Sequence, residues 1–109
     1  MIIYVDIDNT ICYTNGMNYS DSKPNYNNIG KINKLYNSGN QIIYWTARGA
    51  KTGINHFKLT LNQLNEWKCL FHELRMGKPN YDLFIDDKNL NSILHFDENN
   101  INIILYSEK

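Results

Sequence analysis

The N-terminal segment 2–10 constrains the fold more than any other part of the chain. Four apolar residues, 2–5, run directly into Asp6, and Asp8 follows two positions later. A continuous β-branched and aromatic run before turn-forming residues is typical of a strand buried on both faces, as in a parallel sheet. Because side chains two residues apart share one side of an extended backbone, Asp6 and Asp8 are expected to emerge together. Ligands of open α/β sheets bind at that carboxyl edge.

The chemistry available to this aspartate pair follows from its charge. Two neighbouring carboxylates repel each other unless a cation or a shared proton relieves the repulsion. Mg²⁺ is a natural candidate, because it prefers oxygen ligands and often takes one or two carboxylates with waters and substrate phosphate. An aspartate can also attack phosphorus, while a second carboxyl acts as general acid and then as base. The alternative is a polar turn in which Asp8, Asn9 and Thr10 provide turn or capping contacts.

A βαβ unit is predicted after a polar loop or short hairpin flap at residues 11–26. Asn27 or Asn28 is expected to cap a helix, and Gly39 is expected to lie at its end. Residues 41–45 then form a second buried strand, so the crossover between the two strands should be right-handed. The apolar stripe of the helix consists of Ile29, Ile32, Leu35 and Tyr36.

The second predicted strand ends in Thr46, Ala47 and Arg48. A threonine hydroxyl at a strand's carboxyl end can donate to a phosphate oxygen, and the backbone N–H groups that follow can add to it. Thr46 also fits as the cap of the next turn. Two partners are open for Arg48: a phosphate or carboxylate of a substrate, or an acidic neighbour that anchors the loop.

A lysine-bearing turn precedes a second apolar segment that ends in acids. Pro79 biases the backbone of Lys78 toward an extended conformation. The Lys78 ammonium can then neutralise charge on a transferring phosphoryl group, although most loop lysines are simply solvated. Residues 82–85 predict another strand, with Asp86 and Asp87 at its carboxyl end. This repeats the pattern of an apolar strand followed by acids, and Asp87 also fits as a helix N-cap.

The remaining segments complete the expected fold. A helix is predicted over residues 52–68, with its apolar stripe in the core and Thr60 and Gln63 on other faces. A short helix over residues 89–96 and a last strand over 101–106 follow. The apolar stripe of the helix over residues 52–68 comprises Ile54, Phe57, Leu61, Leu64 and Trp67 or Lys68. His56 and His72 are interpreted as structural or surface residues.

Taken in order, four segments resemble the motifs of the haloacid dehalogenase-like (HAD) hydrolase superfamily. They are the aspartate segment 6–10, Thr46 after the second strand, the turn around Lys78, and the acid pair at 86–87. The resemblance implies an α/β fold with three α/β/α layers, Rossmann-like, and a mainly parallel sheet. It also implies an Mg²⁺-dependent phosphatase that forms an aspartyl-phosphate on Asp6.

The resemblance also implies a role for each matching residue. The implied catalytic residues are Asp6, Asp8 and Lys78; the implied substrate-binding residues are Thr46, Ala47, Arg48 and Lys78; and the implied metal ligands are Asp6, Asp8, Asp86 and Asp87. A chain of 109 residues leaves no room for a cap domain, so one domain spanning 1–109 with an open site is expected. The capless form with Thr-Ala-Arg and Gly-Lys-Pro resembles capsule or polysaccharide biosynthesis phosphatases, which implies a sugar phosphate as substrate.

Two other functions are kept as alternatives, a nucleic-acid 3′-phosphatase and a non-catalytic binding module with the same fold. A formal net charge of zero argues against nucleic acid and anionic membranes as partners. The first charged residue is acidic and no apolar run is long enough to span a bilayer, so a cytoplasmic protein is expected. The resemblance implies a small phosphorylated metabolite as its partner. A homo-oligomer would provide a roof for the open site. Cys12 and Cys69 lack metal-type spacing and are expected to be reduced thiols.

Overall fold

The structure is a computed structural model, and it describes residues 1–90. In chain order its elements are β1 (Ile2–Val5), β2 (Cys12–Tyr13), β3 (Lys23–Pro24), α1 (Tyr26–Asn37), β4 (Gln41–Trp45), α2 (Phe57–Glu66) and β5 (Glu73–Arg75). A short 3₁₀ turn at Tyr19–Asp21 lies between β2 and β3. The strands β2 and β3 pair antiparallel, which confirms the predicted hairpin.

A parallel sheet in the order β1-β4-β5 carries the core of the protein. In this register Val5 lies opposite Tyr44, and Tyr44 lies opposite Leu74. All three side chains belong to one buried apolar cluster, which also takes in residues of both helices. The predicted α/β class with a mainly parallel sheet is therefore confirmed. Within residues 1–90, no helix is both long and apolar enough to cross a membrane.

The first helix begins earlier than the sequence pattern indicated. Its cap is Asn25, whose side-chain oxygen accepts a hydrogen bond from the backbone N–H of Asn28 at 3.1 Å. Asn28 is not a cap: it is buried, and its amide donates to the carbonyl of Thr10 at 3.0 Å. The helix thereby contacts the turn that follows Asp8. The predicted end is confirmed, with Gly39 at a φ of 94° directly after the Ser38 cap.

The second helix is shorter than predicted, because residues 52–56 do not join it. Gly53 adopts a φ of 77°, a left-handed conformation that no α-helix contains, and the helix begins only at Phe57. Its buried residues are Thr60, Gln63 and Leu64, whereas Ile54 and Phe57 are exposed. The prediction that Thr60 and Gln63 lie away from the core was therefore wrong. Their polar groups are buried because both accept hydrogen bonds from the buried side chain of Arg48.

The predicted strand at residues 82–85 is not formed in the structure. Leu83 and Ile85 are 76% and 86% exposed, and residues 82–85 join neither sheet. A strand is stable only where another strand takes up its backbone hydrogen bonds, and sequence pattern cannot supply that partner. The predicted helix over 89–96, beyond its first two residues, and the predicted strand over 101–106 lie outside the described residues.

The buried thiol of Cys69 predicts a loss of stability at high pH. Burial raises the pKa of Cys69 from an ordinary value of 9.0 to about 12, so the folded protein keeps the thiol neutral. The raised native pKa means that this contribution is complete below pH 9 and is lost as the pH rises toward 12. We expect the free energy of unfolding to fall by about 1.4 kcal/mol between pH 8 and pH 10 from this group.

Urea denaturation in the presence of a reductant at both pH values measures this change. The matched control is Cys69→Ala, which lacks the titrating thiol. The difference between the two proteins separates the contribution of Cys69 from that of the lysines and tyrosines that also titrate in this range. An equal pH dependence in both proteins would contradict the assignment to Cys69.

Candidate active site

The carboxyl ends of β1 and β4 open into a cavity of about 450 Å³. Its walls come from the segments that follow these strands, from the hairpin, and from the loop after β5. It contains six of the predicted site residues: Asp6, Asp8, Thr46, Ala47, Arg48 and Lys78. Residues distant in sequence meet here because parallel strands end at one edge of the sheet.

Asp6 and Lys78 form an accessible ion pair in this cavity. The Lys78 ammonium lies 3.5 Å from Oδ1 of Asp6, and the Asp6 side chain is 39% exposed. Oδ2 of Asp6 accepts a long hydrogen bond from the hydroxyl of Thr10 at 3.4 Å. The backbone N–H of Lys78 donates to the carbonyl of Thr46 at 3.0 Å, which holds the lysine loop against the end of β4. Asp6 therefore combines an exposed carboxylate with an adjacent positive charge.

Asp8 lies in the same cavity but has different partners. The Arg48 guanidinium grips its carboxylate with Nε 3.0 Å from Oδ2 and Nη2 2.8 Å from Oδ1. The hydroxyl of Thr14 in the hairpin segment donates to Oδ1 at 2.6 Å. The repulsion expected between Asp6 and Asp8 is thus offset within the chain by one cation on each carboxylate. The aspartate pair alone does not require a metal for this purpose.

The sequence left two kinds of partner open for Arg48, a substrate group or an acidic neighbour. In the structure Arg48 has the acidic neighbour Asp8 as its partner. Its side chain is fully buried, and it also donates to the hydroxyl of Thr60 at 3.1 Å and to Oε1 of Gln63 at 2.5 Å. Sequence reasoning missed Thr60 and Gln63 as parts of this site. The available signal was their spacing of three residues on a helix, together with Leu64, which places all three on one face.

Thr46 is buried, and its backbone supports the loop that follows β4. The Thr46 hydroxyl accepts the N–H of Arg48 at 3.2 Å, a turn-capping contact of the kind expected for the non-functional alternative. An accepting hydroxyl keeps its own proton, so Thr46 can still donate to an oxygen in the cavity. The capping role and a role in substrate binding are compatible.

The loop after β4 depends on the absence of a side chain at Gly49. Gly49 has a φ of 84°, and a Cβ there would lie 2.1 Å from the carbonyl oxygen of Ile54. We expect Gly49→Ala to destabilise the protein by more than the roughly 1–2 kcal/mol cost of a left-handed conformation alone. The reason is that the Ile54 backbone must also move.

Gly53→Ala is the matched control for this substitution. Its φ is 77°, but no atom lies within 4 Å of the added Cβ, so only the conformational cost applies. Urea denaturation of the two variants isolates the clash. A free energy of unfolding that falls equally in both would contradict the close approach at Gly49.

The structure does not bring Asp86 and Asp87 to this cavity. Both are exposed, neither lines the cavity, and Asp86 instead accepts the backbone N–H of Asp87 at 2.7 Å. Across residues 1–90, no three acidic, histidine or cysteine side chains converge on one point. The reason is that these aspartates follow the segment 82–85, which is not part of the sheet. Their role as metal ligands stays a prediction.

The remaining donors at the cavity fit Mg²⁺ in chemical type. Asp6 offers a hard carboxylate oxygen that faces the cavity, and one carboxylate with waters and substrate phosphate is within the usual range for this ion. The Asp8 carboxylate is occupied by Arg48 and Thr14, so any contribution of Asp8 to a metal would come from its backbone carbonyl.

Comparison with known proteins shows a fold relative. No known protein family matches the sequence, and no curated protein sequence matches it. Among solved structures, the crystal structure of an MCSG target from Vibrio cholerae is similar to this chain, with a TM-score of 0.78 and 22% sequence identity. The match covers 99% of this chain and 98% of the Vibrio cholerae chain. At this identity the similarity concerns the fold.

Proposed function

We propose that this protein is a phosphomonoester hydrolase of the HAD type, in which Asp6 forms an aspartyl-phosphate intermediate. The observation that carries the proposal is the exposed Asp6 carboxylate beside the Lys78 ammonium, 3.5 Å away, in an open cavity at the carboxyl ends of β1 and β4. A nucleophile with an adjacent cation suits a phosphate dianion, whose charge would otherwise repel the carboxylate. The three-layer Rossmann-like arrangement is part of this proposal.

In the proposed reaction, a carboxylate oxygen of Asp6 attacks phosphorus, and the bond from phosphorus to the leaving oxygen breaks. Asp8 enters the step protonated and gives that proton to the leaving oxygen. The resulting Asp8 carboxylate then accepts a proton from the water that hydrolyses the aspartyl-phosphate, which releases phosphate and restores protonated Asp8 and the Asp6 carboxylate. Lys78 and the Thr46 hydroxyl bind phosphoryl oxygens. Asp6, with the backbone carbonyl of Asp8, would hold Mg²⁺ at this cavity, where the ion would supply further positive charge to the phosphoryl group.

The substrate is proposed to be a small phosphorylated metabolite, with a sugar phosphate of polysaccharide biosynthesis as the specific candidate. This part rests on the sequence resemblance and on a cavity over which residues 1–90 form no cap domain. A cytoplasmic location and a homo-oligomer that roofs the cavity belong to the same proposal. The cavity does not favour a nucleic-acid 3′-phosphatase. Lys78 and Arg48 are each paired with an aspartate, and among the wall residues that the structure describes Lys51 is the one further cation.

Hydrolysis of an aryl phosphate and of a panel of sugar phosphates and nucleotides, with Mg²⁺ and with EDTA, tests the proposal. We expect Mg²⁺-dependent release of phosphate that EDTA abolishes. Absence of turnover across the whole panel would contradict a phosphatase and favour the binding module. Preference for a 3′-phosphorylated oligonucleotide would favour the nucleic-acid alternative.

A further inference from the structure

The buried guanidinium of Arg48 has no donor left for a ligand. An arginine carries five N–H groups, and each of those of Arg48 faces an acceptor within the protein. The Nε group donates to Asp8, the two Nη1 donors face Thr60 and Gln63, and the Nη2 donors face Asp8 and Ser22, the last at 3.5 Å. A substrate phosphate would have to displace one of these partners inside a fully buried environment.

The partners of Arg48 are themselves fixed by the fold. Gln63 donates through Nε2 to the carbonyl of Tyr19 at 2.7 Å, and the Tyr19 ring lies under the guanidinium at 4.9 Å. Thr60 is completely buried in α2. The guanidinium is therefore held between α2 and the hairpin segment by contacts within the chain.

The locked guanidinium in turn determines where the Asp8 carboxylate lies. The fork of Nε and Nη2 engages both carboxylate oxygens, a geometry that lysine cannot reproduce. The Thr14 hydroxyl is a third donor to the Asp8 carboxylate and bonds to Oδ1. It also lies 2.7 Å from the hydroxyl of Ser22, which faces Arg48. Asp8 is thus held in one rotamer from two sides, by Arg48 from the sheet edge and by Thr14 from the hairpin.

From this geometry we infer that Arg48 is a positioning residue that orients Asp8 for proton transfer, and that it does not bind the substrate. The inference rests on the proposed function, because it assigns Arg48 a role in the reaction proposed above. Proton transfer depends steeply on geometry, and a displacement of about 1 Å can cost about 10²-fold in rate. The rate of the chemical step should therefore depend on Arg48, whereas substrate affinity should not.

Steady-state kinetics of Arg48→Lys separates the two roles. We expect kcat to fall about 10²-fold while KM stays within about threefold of the wild type. A raised KM with kcat unchanged would overturn the inference in favour of substrate binding, and an unchanged kcat with unchanged KM would overturn it as well. Arg75→Lys, which alters the exposed arginine paired with Glu73, is the matched control and is expected to leave both constants unchanged.

Thr60→Val decides the question if Arg48→Lys does not fold. It removes one acceptor of Arg48 while leaving Asp8 and the cavity residues intact, and valine preserves the shape of threonine. Lower kcat with unchanged KM in this variant supports the positioning role. Unchanged kcat overturns it.

A measurement without turnover tests the contact between Arg48 and Asp8 directly. The chain has two arginines, so an ¹H–¹⁵N spectrum contains two side-chain Nε–H signals. We expect the Arg48 signal to exchange slowly with water in the wild type and rapidly in Asp8→Ala, with the exposed Arg75 as the internal reference. Rapid exchange of Arg48 in the wild type would overturn the inference. If the Arg48 Nε–H of the wild type exchanges slowly but the protein hydrolyses no phosphomonoester, the proposed function fails while the contact between Arg48 and Asp8 stands.

Discussion

Replacing Asp6 with asparagine is expected to lower phosphomonoester turnover by about 10⁴-fold or more, because an amide oxygen cannot form the aspartyl-phosphate. The substitution conserves shape and removes one negative charge from the cavity. Lys78 then lacks its carboxylate partner, which lies 3.5 Å away in the wild type. Inorganic phosphate should therefore bind to Asp6→Asn at least as tightly as to the wild type.

Initial rates on an aryl phosphate and calorimetric titration with inorganic phosphate measure the two effects separately. Asp21→Asn is a suitable control, since Asp21 is exposed in the 3₁₀ turn and does not line the cavity. Equal turnover by Asp6→Asn and the wild type would eliminate Asp6 as the nucleophile. If Asp6→Asn loses phosphate binding as well as turnover, the substitution has damaged the cavity.

Lys78→Met is expected to reduce kcat/KM by about 10²- to 10³-fold, the effect typical of removing one charge-stabilising donor from a reaction centre. The Lys78 side chain is largely buried between the cavity and the rings of Trp45 and Tyr81, with its Nζ 6.0 and 5.3 Å from their centroids. Methionine can occupy the space beside these two rings, so the reduction in kcat/KM should reflect the lost charge and not lost packing.

The same kinetic assay applied to Lys58→Met provides the control. Lys58 lies exposed on α2 and outside the cavity, so this substitution makes the same change in net charge without touching the site. A similar reduction in both variants would assign the effect of Lys78→Met to long-range charge. Urea denaturation of each variant verifies that the folded fraction is unchanged.

The local part of the fold was predictable because it depends on short-range pattern. The apolar runs at 2–5 and 41–45 with a helix between them predicted the βαβ unit, and the structure confirms it. Helix ends were less predictable, since Asn25, Asn27 and Asn28 are all good caps in sequence. Only packing shows that Asn28 is needed elsewhere, as a buried donor to the turn after Asp8.

The buried polar residues were the least predictable part of the site. Thr60 and Gln63 have ordinary helix-surface identities, and their burial becomes explicable only once Arg48 is placed between them and Asp8. The segment 82–85 shows the converse. Its apolar pattern is strand-like, yet whether it forms a strand depends on a partner edge, which is a property of the whole sheet.

By itself, the sequence determined the α/β class and the placement of Asp6, Asp8 and Thr46 at strand ends, because strand periodicity and strand direction are local properties of the chain. Only the tertiary structure decided how these groups are paired. It placed Lys78 against Asp6 in the open cavity. It directed the fully buried Arg48 to Asp8, since a buried charge is stable only where its hydrogen-bonding groups find partners.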